Sequence, residues 1–221
     1  MKATLISSTL SDPQTVMPRS LVWLFAIASG LSVANVYYAQ PLLDALSRDF
    51  AIGDAAIGGV IAATQIGCAM ALLLLVPLGD RVNRRRLMAT QVILLIAALA
   101  GVSMASTAVM LLGCMLAVGL LGTAMTQGLI AYAASAAAPH EQGRVVGAAQ
   151  SGVFIGLLLA RVFSGSISDL FGWRGVYILA ALLMLGIALP LWRRLPVLAA
   201  APNPLSYPRL LISLSLIHIS E

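Results

Sequence analysis

Apolar residues fill six long stretches of this 221-residue chain, at about 21–43, 56–75, 87–104, 109–131, 145–167 and 176–192. Polar clusters separate them. A helix rises about 1.5 Å per residue, so a stretch of about 20 apolar residues crosses a hydrocarbon core of about 30 Å. The pattern therefore predicts six membrane-spanning helices. The sharpest break follows the second stretch, at Pro77-Leu78-Gly79-Asp80-Arg81-Val82-Asn83-Arg84-Arg85-Arg86. Four arginines within six residues cannot lie in hydrocarbon, so this run is a short basic turn between two spans. Beyond the sixth stretch comes a Pro/Ala/Asn linker, and Pro208 to Ile217 resembles the start of a seventh apolar segment. The expected organisation is a lead at 1–20, a six-helix bundle at 21–195, a linker at 196–207 and a truncated or artefactual tail at 208–221.

Composition supports an all-α polytopic membrane protein. The chain is 60% hydrophobic and 10% charged, with mean hydropathy +0.98, whereas soluble domains carry about 25% charge. The formal charge of +5 then bears on topology and does not point to nucleic acid. Basic residues favour the cytoplasmic side. Placing the lead, the Arg81 turn, the His140 loop and the segment after Trp192 inside puts ten of the thirteen basic residues there. This predicts a cytoplasmic N-terminus, an uncleaved first span and, in a bacterium, the inner membrane. Cys68 and Cys114 both fall in apolar stretches and are expected to be packing residues. The two histidines, His140 and His218, stand apart from them, so no metal site or other cofactor is expected. No cluster of His, Asp or Glu lies within the spans to do bond-making chemistry, so an enzyme is not expected.

The turn at 76–86 closely resembles the loop between helices 2 and 3 of the major facilitator superfamily of secondary transporters, Gly-x-Leu-Ala-Asp-Arg-x-Gly-Arg-(Arg/Lys). Leu78, Asp80, Arg81, Arg84 and Arg85 match it. Val76 and Asn83 stand where glycines are usual, and Asn tolerates a left-handed turn well. The run Asn35 to Leu43 resembles the first helix of uncharacterised bacterial members near the sugar-efflux and multidrug-efflux groups. Pro139 to Gly147 resembles the link between helices 4 and 5, and Gly172-Trp173-Arg174 the turn before helix 6. Two family motifs are incomplete. Met115 occupies the helix 4 arginine position four residues before Gly119. In helix 5 Gly152 and Gly156 match the antiporter signature, but Leu157, Ala160 and Arg161 replace its proline and paired glycines.

The resemblance implies the N-terminal six-helix half of a major facilitator fold, a 3+3 inverted repeat, with the second half absent. It implies alternating-access transport of a small solute, coupled to a proton or another ion and directed to export. The partners implied are the solute, a coupling proton, the lipid bilayer and a C-terminal six-helix half in cis. A half-size, non-transporting scaffold or homodimerising subunit is the alternative. Asp80, Arg81, Arg84 and Arg85 are the candidate gating loop: in the family the equivalent carboxylate resembles a latch that pairs with loop arginines and abuts the second half.

Candidates for the solute cavity or coupling are Asn35, Tyr38, Gln65, Gln127, Gln150 and Arg161. Asn35 and Tyr38, three apart, share a helix face. Each neutral residue serves equally well in a solute path or in a helix–helix hydrogen bond. Arg161 lies in the outer leaflet, where an unpaired charge is costly; it either faces a wet cavity or snorkels to the interface. Gly152, Gly156, Ala160 and Ser164 form a small-residue line suited to close helix crossing.

Overall fold

The structure, a computed structural model, describes residues 16–79 and 82–194. The expectations for residues 1–15, for Asp80 and Arg81, for the linker at 196–207 and for the tail at 208–221 lie outside the described residues.

The helices are α1 (Arg19–Tyr37), α2 (Leu43–Phe50), α3 (Asp54–Met70), α4 (Val76–Leu78), α5 (Arg84–Ser103), α6 (Ala108–Ala136) and α7 (Gln142–Arg194). Among the described residues every regular element is helical. Five of the helical segments are long and apolar enough to cross a membrane. The 53 residues of α7 would reach about 80 Å if straight, far beyond a core of about 30 Å. The helix folds back at Gly172, whose φ of 71° and ψ of 171° suit glycine because it has no Cβ to clash. Its two arms, 142–171 and 173–194, are the fifth and sixth crossings. The chain is a multi-pass membrane protein, with six crossings among the described residues.

Local chemistry sets the boundaries. Asn83 caps α5 by accepting the Arg86 N–H at 3.2 Å, and Thr107 caps α6 by accepting that of Met110 at 3.2 Å, as side-chain oxygens do for unpaired first-turn donors. Pro77 has no N–H to continue the ladder, and residues 71–75 before it form a π-helical turn in which Val76 N–H reaches Ala71 O. That turn joins α3 to α4, so the second crossing is one rod with a bulge. The caps at Asn83 and Thr107 start α5 and α6 at 84 and 108, just ahead of the apolar stretches that begin at 87 and 109.

Two crossings bring backbones close. A Cβ on Gly30 would lie 2.6 Å from Gly152 O, and one on Gly156 would lie 2.6 Å from Gly30 Cα. The first crossing thus meets the fifth through glycine, along the line Gly152, Gly156, Ala160 and Ser164, all buried. Likewise a Cβ on Gly119 would lie 2.8 Å from the Thr64 carbonyl carbon, and one on Gly67 2.8 Å from Leu120 N. The second crossing meets the fourth in the same way. An inverted 3+3 repeat exchanges these two pairs, so the internal symmetry shows in the contacts although the two halves share no evident sequence. Met115 is buried, with its sulfur 3.9 Å from the Tyr177 hydroxyl; the position of the family's helix 4 arginine belongs here to the core.

Candidate functional site

Arg19, Arg84, Arg85, Arg86, Arg144, Arg193 and Arg194 mark one end of the bundle, here termed the basic end; Arg48 and Arg174 lie at the other, the far end. A groove of about 850 Å³ runs between α1 and the first arm of α7. From α1 its wall takes Arg19, Val22, Trp23, Ala26, Ile27 and, further along, Gly30, Ala34 and Tyr38; from α7 it takes Arg144, Ala148, Ser151, Ile155, Leu159 and Phe163. Both sets recur every three or four residues, the period of one helix face. The groove exists because Ala26, Gly30, Gly152 and Gly156 let the two helices touch at the floor while larger side chains stand as walls.

At the far end of the groove Tyr38 stacks on Phe163, with ring centroids 5.2 Å apart. Arg161, next to Ala160 in sequence but not among the residues that line the groove, points to Gln40, its Nη2 donating to Oε1 at 3.4 Å. It is exposed and forms no ion pair among the described residues. At the basic end Arg144 donates to Glu141 Oε1 at 2.5 Å, and Met17 N–H donates to Glu141 Oε2 at 2.8 Å. The Met17 N–H, and then Arg144, hold the buried Glu141 carboxyl below its ordinary range. This clamp fixes the entry of α1 against the start of α7 and compensates the charge of Arg144. Arg19 has no ion pair among the described residues.

The remaining candidates do not gather in the groove. Asn35 is buried, and its side-chain amide donates to Leu31 O of its own helix at 2.9 Å. Gln65 is exposed on the second crossing and Gln150 is half-buried on the fifth. Gln127 borders a cleft of about 40 Å³ with Arg84, Gly79, Gly128 and Gln91. Gln91 is buried there with its Oε1 unpartnered, in a space sufficient for a water molecule. Arg84 donates to Gly79 O at 3.2 Å and to Ser135 Oγ at 2.6 Å. Arg85 donates to Trp192 O at 2.6 Å and lies 4.9 Å from the centre of that indole. Arg84 and Arg85 of the basic turn therefore tie the second, third, fourth and sixth crossings together.

Sequence reasoning took Arg19 and Arg144 only as topology charges, although each opens a helix-spaced stripe that ends in an aromatic residue. It also missed the clasp at the far end. There Arg174 pairs with Asp49 at 2.5 Å and donates to Ala105 O at 3.0 Å, while Trp173 Nε1 donates to Asp49 at 3.1 Å. One guanidinium thus joins all three far-end connections.

A family model described as Major Facilitator Superfamily matches residues 23–217. The chain is 41% identical over 213 residues to the putative uncharacterized transporter YgaY of Escherichia coli K12, which covers 96% of this chain and 53% of the relative. It is 35% identical over 188 residues to the probable transporter SCO4007 of Streptomyces coelicolor, covering 82% of this chain and 44% of that one. The chain spans about half the length of the curated relatives it matches. Among solved structures it resembles an inward-facing, occupied bacterial homolog of the human lysosomal transporter Spinster, with TM-score 0.67 and 19% identity, over 90% of this chain and 47% of that one. The unoccupied form gives TM-score 0.65 and 18% identity, with the same coverage.

Proposed function

The chain belongs to the major facilitator superfamily, and from that premise we propose that its six spans act as one rocking lobe of a carrier that moves a small solute by alternating access. The groove between α1 and the first arm of α7 carries this reading. It is long, open along its side and walled by apolar groups with a few polar ones, as solute sites are. A second six-helix lobe closes it from the open side. The glycine crossings suit helices that move as a block, which alternating access requires. The protein is a carrier and not an enzyme.

Within this proposal Tyr38 contacts the solute from the far end of the groove, and Arg161, beside Gln40 and outside the groove's lining, serves the solute or the coupling ion. Asn35 positions α1, while Gln65, Gln127 and Gln150 face paths that the second lobe completes. Asp80 is the latch, pairing with Arg81 and its neighbours in one state, and Arg84 and Arg85 anchor its turn to the fourth and sixth crossings. Among the described residues no carboxylate lies at mid-depth, so a coupling proton is carried by Asp44 or Asp80 near the ends, or by the second lobe. The basic end faces the cytoplasm, with the N-terminus inside, and the membrane is the bacterial inner one. The arginine asymmetry supports this orientation, and a relative 28% identical over 196 residues is named an inner membrane transport protein, YnfM of Escherichia coli K12. Transport runs outward.

Counterflow of candidate solutes in liposomes holding the intact transporter, with and without an imposed proton gradient, tests the reading. Exchange that accelerates with the gradient supports coupled transport; no exchange of any solute in correctly inserted protein overturns it. Asp80→Asn is expected to slow exchange while leaving insertion intact, and unchanged kinetics would refute the latch.

A further inference from the structure

The second crossing meets the fourth in two different ways along its length. At Thr64 and Gly67 the backbones touch, against Gly119 and Leu120. Residues 71–75 then form the π turn, which bonds to the fifth residue in place of the fourth and widens the helix there. Past that turn, toward the basic end, a cleft of about 40 Å³ lies between the second, third and fourth crossings. Its walls include Val76 and Gly79 from the second, Met88 and Gln91 from the third, and Gln127 and Gly128 from the fourth.

Gln91 is 4% exposed, and its Oε1 meets no donor. That oxygen is turned into the cleft, since a Cβ on Gly128 of the facing wall would lie 3.8 Å from it. A buried carbonyl with no donor has given up its hydration and regained nothing, so the oxygen calls for an occupant that donates. Size and charge select it. A water molecule needs about 10–15 Å³ of such space and about two to four polar partners. The cleft has room for about three, and it offers Gln91, Arg84 and, on its exposed side, Gln127. An organic solute does not fit. A metal cation would face the Arg84 guanidinium, which bonds to Gly79 O and Ser135 Oγ.

We propose that this cleft is an ordered-water site, in which one molecule donates to Gln91 Oε1 and bonds to the Gln127 amide, bridging the third and fourth crossings beside the second. The inference stands apart from the transport reading. The second crossing then rests on backbone contact on one side of its π turn and on bound water on the other.

Met88 provides the reporter. It lines the cleft yet is only 3% exposed, while Met125 and Met184, at 0% and 1%, are buried away from it. The full chain in phosphatidylcholine nanodiscs receives a brief X-ray pulse, which splits water into hydroxyl radicals that oxidise side chains in contact with the parent molecule. Catalase and methionine amide, added at once, remove the slower oxidation by peroxide, and mass spectrometry of peptides reads each methionine. With water bound beside it, Met88 should be oxidised about tenfold faster than Met125 or Met184. Gln91→Leu should bring Met88 down to the level of those two, because an apolar cleft stays dry. Gly128→Ala places a methyl in the cleft at the ordinary contact distance of 3.8 Å from Gln91 Oε1. It should lower the Met88 rate severalfold, and it keeps the site testable where Gln91→Leu does not fold. Gln127→Leu added to Gln91→Leu should lower the rate no further than Gln91→Leu alone. A parent Met88 rate equal to that of Met125 and Met184 overturns the proposal, since the cleft is then dry. So does a fast rate that neither Gln91→Leu nor Gly128→Ala lowers. A rate that falls when sodium chloride replaces choline gluconate also overturns it, because the occupant is then an ion.

Discussion

Replacing Gly152 with alanine adds one methyl group, and the structure says where it goes. The new Cβ would sit 2.8 Å from Ala26 Cα and 2.6 Å from its carbonyl carbon, where non-bonded carbons prefer about 3.5–4.0 Å. The obstacle is backbone, which cannot rotate away, so α1 and the first arm of α7 must part by about 1 Å. Such overpacking costs about 1–3 kcal/mol, and the contacts along the floor weaken together. Gly156→Ala meets Gly30 in the same way. Gly165 and Gly147 lie on the same helix with nothing within 4 Å of their Cβ positions. There alanine should be neutral or stabilising by up to about 1 kcal/mol through helix propensity alone. The assay is unfolding of the purified chain in mild detergent, followed by circular dichroism or by loss of the monodisperse chromatographic peak. Equal effects at Gly152 and Gly165 would refute the claim that glycine is required by the crossing. The inverted repeat extends the test, because Gly67→Ala and Gly119→Ala should match Gly152→Ala in size.

Glu141→Gln should lower the melting temperature at pH 7. The folded carboxyl titrates below its usual value of about 4.5, so the unfolded chain takes up the proton first and the stabilisation is complete above that value. The deficit should shrink as the pH falls below about 4.5, and a deficit independent of pH would contradict the clamp. At the far end the Asp49–Arg174 pair is partly exposed and worth at most about 1 kcal/mol alone. Arg174→Met also loses the bond to Ala105 and the stacking on Trp173 at 4.2 Å, so it should cost about 1–2 kcal/mol. Asp49→Asn keeps an acceptor for the indole and should cost less; the opposite order in a denaturation series would overturn the clasp.

The six crossings were legible because hydropathy and length decide what crosses a bilayer. The turn at Gly172-Trp173-Arg174 and the caps at Asn83 and Thr107 follow from local residue chemistry, so they too could be read from the chain. Which face of each helix does what was harder. In a membrane the lipid-facing and helix-facing sides are both apolar, so the sequence does not separate Ile93, which is exposed, from Leu95, which is buried. Asn35 illustrates the limit, since a polar residue within a span can bond its own backbone as readily as it lines a path. The stripe Arg19, Trp23, Ile27, Leu31, Tyr38 was visible in principle, but its meaning depends on the matching stripe more than a hundred residues later. Asp49 and Arg174 are 125 positions apart, and no local pattern joins them.

Alternating access is tested most directly along the groove itself. Single cysteines at Ile27, Ile155 and Leu159, in a chain whose Cys68 and Cys114 have been replaced by serine, are exposed to a membrane-impermeant maleimide from either side of vesicles holding the intact transporter. The account predicts that each is labelled from both sides, that solute or a locking ligand shifts the balance between sides, and that a cysteine at Ile93, on the outer surface of the third crossing, is labelled from neither. Groove positions that label from one side only under every condition, or that behave like the Ile93 control, would contradict it.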